Sequence, residues 1–110
     1  MDQIDILSIG DFRGQAADHL ASDAFRRLIG QAKGYDLILF DGDGLAQGGA
    51  SLALAGLADQ TLLLVEWDKT SQSAVKKSFS SLRNSGADPD IILTKLDTQK
   101  RRAYGYPQFA

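Results

Sequence analysis

Three short stretches of this chain, DLILF at 36–40, TLLLV at 61–65 and DIILT at 90–94, are apolar without period-two alternation. A strand with one wet face alternates; a run that does not alternate reads as a strand buried on both sides, the mark of a parallel sheet covered by helices. A fourth, shorter run, IDILSI at 4–9, reads as another strand and is closed by Gly10. Patterns of helical period lie between these runs. The expected order is β-α-β-α-β-α-β, and strands joined by helices are expected to be parallel. The fold class expected is therefore α/β, with a parallel sheet of about four strands and helices on both faces.

The helix signals are local. Ser22 is suited to cap SDAFRRLIGQAKG, where Phe25, Leu28, Ile29 and Ala32 recur at helical spacing and Gly34 offers a stop. Residues 50–57 are small and apolar all round, which suits a short buried helix. Thr70 or Ser71 can cap a helix running to about Asn84, with Ala74, Val75, Phe79 and Leu82 in one stripe and Gly86 ending it. Residues 11–20 are polar and read as loop. Periodicity stops near Leu96. This divides the chain into an α/β part, 1–96, and a tail, 97–110, that is polar, then basic, then aromatic.

The chain has 110 residues, enough for one small domain or part of one. A net charge of −2 argues against general nucleic-acid binding, which favours a basic surface. With no cysteine there is no disulfide, thiolate nucleophile or cysteine-bound zinc. No apolar run has the length of a membrane span and no signal-peptide pattern opens the chain, so the expectation is a soluble chain. Four parallel strands make a thin sheet, and no clear charge or proline guards its edges. Strands from a partner chain, or from residues upstream, are expected to complete it.

Chemistry is expected where strands end. Asp41 and Asp43 follow DLILF in the sequence DGDG. Asp41 suits the acidic second strand of a phosphate-loop nucleotidase, where the carboxylate binds Mg²⁺ through water. It also suits the phospho-acceptor of a two-component receiver, or a simple cap on a glycine loop. Lys95, at the end of the last strand, supports the receiver reading. Two features oppose it: Asp11 stands without a second acid near the end of the first strand, and the run Val65-Glu66-Trp67 lacks the expected hydroxyl. No GxxxxGK[ST] occurs anywhere. Lys33 has Gly30 upstream but lies inside a predicted helix, so no phosphate cradle is expected in this chain. His19, Lys76 and Lys77 read as surface residues, and Trp67 as packing at the end of the sheet.

Taken in order, ILSIG, SDAFRRLIGQAKGYDLILFD, LADQTLLLVEWDKT, SAVKKSFSSLRNSGA, IILTKLD and KRRAYGYPQF resemble segments of the cytoplasmic domain of bacterial tyrosine autokinases. These are polysaccharide co-polymerases related to the MinD/ParA group of P-loop ATPases, and the resemblance is to the C-terminal half of that domain. It implies an incomplete P-loop NTPase-like fold whose Walker A half lies upstream. It implies a role in exopolysaccharide chain length or export, at the cytoplasmic face of the inner membrane. Asp41 would be the Walker B carboxylate on the Mg²⁺ side with Asp43 as helper, and Thr94 and Lys95 would lie on the base side. Tyr104 and Tyr106 would accept phosphate from a neighbouring subunit. MgATP is implied for an intact parent domain and no cofactor for this chain alone. The partners implied are further copies or the missing N-terminal half, and the polysaccharide export machinery. The chain departs from the family in two places: Gly42-Asp43-Gly44 replaces the usual hydroxyl and prolines, and Thr94 replaces a base-contacting asparagine. A degenerate, non-enzymatic partner-binding domain is the alternative of another class.

Overall fold

The computed structural model describes residues 3–8, 16–20, 22–45 and 49–103. The chain divides into two compact units, Met1–Leu54 and Ala55–Ala110.

The first unit is helical where its caps dictate. Helix α1 (Ala16–Leu20) lies in a stretch that the sequence reads as loop. Helix α2 (Asp23–Gln31) starts at Ser22, whose side chain accepts the Phe25 N–H at 3.3 Å. That bond satisfies one of the backbone donors that a helix start leaves without an intrahelical partner. Phe25 projects onto Phe40, with ring centroids 6.3 Å apart and the planes tilted by 44°. Helix α3 (Ala50–Ala55) follows the glycine-rich stretch, shorter than the 50–57 expected.

Two of the four expected strands do not form among the described residues. Residues 3–8 and 37–44 join no sheet, and Ile4, Ile6, Leu7, Leu37 and Leu39 are exposed. The reason is that a strand is a pairwise structure. Its backbone N–H and C=O groups need a neighbouring ladder, which the apolar pattern of one segment cannot supply. Other contacts engage these segments: Phe40 meets Phe25, and the Tyr35 hydroxyl donates to the Asp5 carboxylate.

The second unit is a β-α-β unit. Strands β1 (Thr61–Glu66) and β2 (Pro89–Thr94) pair in parallel, with Thr61 opposite Pro89 and Glu66 opposite Thr94. The observed sheet therefore has two strands, compatible with α/β, and not the four expected. Helix α4 (Gln72–Asn84) connects them, capped by Ser71, whose Oγ accepts the Ala74 N–H. Its far end is closed by Gly86 at φ +93°, where the Gly86 N–H donates to the Arg83 carbonyl and the Ala87 N–H to that of Leu82. This is the double hydrogen bond of a Schellman stop, and the left-handed residue it needs is the glycine. Helix α5 (Thr98–Ala103) follows β2.

Residues paired across a parallel ladder point to the same face. One face carries Leu63, Val65, Ile91 and Leu93. On this side Val75 and Phe79 of α4 line a shallow groove with Ile91. Val65 is buried, as is Leu82 of α4. The other face carries Leu62, Leu64 and Ile92, which are 52%, 64% and 41% exposed. Ile91 and Leu93 on the first face are 47% and 50% exposed, so the expected burial is complete on neither face.

Candidate functional site

At the carboxyl end of β1 and β2 the chain forms a charged cup of about 200 Å³. Beyond the strand itself, the Trp67 N–H donates to the Thr94 carbonyl at 3.0 Å, extending the ladder by one bond. Asp68 then turns the chain at φ +64°, and Lys69 and Thr70 donate their N–H groups back to the Glu66 carbonyl. On the partner strand, Lys95 adopts φ +55° immediately after Thr94. Left-handed backbone is unusual away from glycine, more so for lysine than for aspartate, and here both instances flank one edge. The turn brings Glu66, Trp67, Asp68 and Lys69 together with Lys95, Asp97 and Lys100.

The charges in the cup are paired. Glu66 Oε1 receives Lys69 Nζ at 3.2 Å and Lys95 Nζ at 3.3 Å. Hydrogen bonding to Lys69, then to Lys95, holds the Glu66 carboxyl below the ordinary glutamate range, against the opposing effect of desolvation. Lys100 Nζ lies 3.0 Å from Asp68 Oδ2. Asp97 Oδ1 accepts the N–H groups of Gln99 and Lys100 at 2.9 and 3.2 Å, which caps α5. Three ammonium groups face three carboxylates, so the cup is close to neutral and is no strong anion trap.

Of the residues singled out from the sequence, Thr94 and Lys95 stand at this edge. Lys95 is engaged with Glu66, and Thr94 Oγ1 donates to the Val65 carbonyl at 3.4 Å. Asp41 and Asp43 belong to the first unit and are exposed, at the end of a segment that is not a paired strand. Ser51 Oγ of α3 donates to the Asp43 carbonyl at 2.7 Å. The backbone passes so near that a Cβ on Gly42 would stand 2.8 Å from Ser51 Oγ, which is the physical reason for a glycine there. Tyr104 and Tyr106 lie outside the described residues. His19, Lys76 and Lys77 are exposed and Trp67 is half-buried.

Among the described residues no group of three or more acidic, histidine or cysteine side chains could hold a metal ion. Two exposed carboxylates do not constitute a Mg²⁺ site without phosphates to share the ion, and the chain has no phosphate-loop motif. No chemical step is derived through MgATP. Among the described residues no helix is long and apolar enough to cross a membrane.

Sequence reading assigned no site role to Asp68, Lys69, Asp97 and Lys100, and met Glu66 only as a mismatch to a receiver. No motif connects them, because the cup depends on a turn, a strand end and a helix cap meeting in space. The signal available was position: Glu66 and Lys95 close neighbouring parallel strands, at the edge where such sheets carry their sites.

No protein-family profile matches the chain, and neither a curated protein nor a solved structure is significantly similar to it. The resemblance to tyrosine autokinases rests on the order and spacing of the short segments and on the YGY ending.

Proposed function

We propose that this chain is part of a cytoplasmic exopolysaccharide chain-length or export regulator of the tyrosine-autokinase type, and that it acts through a partner instead of binding ATP alone. The observation that supports this reading is the β1–α4–β2 unit itself: two parallel strands whose apolar side chains Leu62, Leu64, Ile91, Ile92 and Leu93 stay exposed, with a charged loop cluster at their carboxyl ends. A parallel pair with this much apolar surface exposed is a fragment of a larger sheet in energetic terms, since parallel sheets are normally covered on both faces. Further strands, from another copy or from an N-terminal half bearing the phosphate loop, would extend the pair at its edges, and the helices connecting them would cover its faces. In that assembly Asp41 and Asp43 would stand on the metal side, Thr94 and Lys95 on the base side, and Tyr104 and Tyr106 would be the phosphate acceptors.

The direct test has two arms. Calorimetric titration of MgATP into the isolated chain is expected to give no heat beyond dilution, because no cradle offsets the triphosphate charge. Deleting the gene in its host is expected to alter the length distribution of a secreted polysaccharide, read by size-exclusion chromatography. Micromolar MgATP binding abolished by Asp41→Ala would make the chain a self-sufficient nucleotide binder. Unchanged polysaccharide would remove the exopolysaccharide role.

A further inference from the structure

The start of helix α5 is tied to the carboxyl edge of the sheet by polar contacts. Its described side chains, Thr98, Gln99 and Lys100, are exposed, and Leu96 just before it is also exposed. Lys100 reaches Asp68 across 32 residues, and Asp97 caps the helix. Asp68 reaches Lys100 because the left-handed turn after β1 presents its carboxylate over the strand ends. Lys100 and Asp97 in turn form part of the wall of the cup.

We propose that α5 is a salt-labile strap over the carboxyl edge of β1 and β2, closed by the Asp68–Lys100 pair, and that its release opens the cup beside Glu66, Lys69 and Lys95. The inference does not depend on the proposed function. Exposed ion pairs are weak and are screened over about a Debye length, so the strap exchanges between closed and open states and added salt favours the open one. The helix is too short to persist alone in water once detached. Opening therefore unfolds it, and the sequence Lys100-Arg101-Arg102 becomes a substrate for trypsin.

The experiment is the initial rate of trypsin cleavage after Arg101 and Arg102 in the full chain. Each rate is divided by that of a free peptide of the same sequence at the same salt. When opening is fast, cleavage reports the open population. Raising sodium chloride from about 20 mM to about 500 mM is expected to speed the normalised cleavage about two- to fivefold. Asp68→Asn removes the charge while keeping a residue that tolerates left-handed backbone. It is expected to cleave faster than wild type at low salt and to show a smaller salt response. Lys100→Gln is expected to match it, which separates loss of the pair from any effect on the turn. A normalised rate independent of salt, or either variant retaining the wild-type response, would overturn the proposal.

Discussion

Glu66, the last residue of β1, and Lys95, the first residue beyond β2, meet at 3.3 Å across the open end of the parallel pair, and Lys69 reaches the same carboxylate oxygen from the following turn. One carboxylate thus ties together the two strand ends and the turn. Its titration is depressed by Lys69 first and Lys95 second. A depressed carboxylate stabilises the fold above its unfolded pKa, and that contribution is lost as pH falls through the folded value. Carbon NMR of the Glu66 carboxyl should show a midpoint below that of an ordinary glutamate. Lys69→Gln should raise it more than Lys95→Gln does. A midpoint that neither substitution moves would rule out the double contact.

The stop of α4 is expected to be sensitive to Gly86. A Cβ there finds open space, so any cost comes from the backbone at φ +93° and not from a clash. Gly86→Ala should destabilise by about 1–2 kcal/mol in urea unfolding, and Gly86→Asn by less, since asparagine visits left-handed backbone more readily. Equal stability of Gly86→Ala and wild type would mean that the helix ends differently.

The caps should also be measurable. Ser71→Ala removes the acceptor for the Ala74 N–H and is expected to cost about 1 kcal/mol. Ser71→Asp should retain most of that stability, because a carboxylate oxygen can accept the same bond. If alanine and aspartate variants unfold alike, Ser71 is not acting as a cap.

Leu82 and Leu64 should respond unequally to substitution. Leu82 is 3% exposed, and Leu82→Ala is expected to cost about 2–5 kcal/mol. Leu64 lies on the open face, and Leu64→Thr should change monomer stability by less than about 0.5 kcal/mol. The joint variant Leu62→Thr, Leu64→Thr should instead reduce self-association in light scattering across concentration, since it removes the apolar surface available to another copy. A chain that is monomeric at all concentrations before mutation would contradict the assembly reading.

What the sequence determined by itself is what short-range physics controls. Ser22 and Ser71 start their helices because a hydroxyl satisfies a nearby N–H. Gly86 ends α4 because the stop requires left-handed backbone, and both features are written within a few residues. TLLLV and DIILT form strands because the chain also supplies α4 at the right length to bring them into parallel register. DLILF carries the same apolar signal without becoming a paired strand, since pairing needs a partner that no local pattern specifies. Its phenylalanine packs on α2 instead. The tertiary structure alone decided that Glu66 would gather two lysines and that Asp68 would reach Lys100, contacts that depend on two left-handed turns and a capped helix meeting at one sheet edge. Charge–charge proximity of this kind has no periodicity, so it leaves no pattern in the sequence from which it could be read.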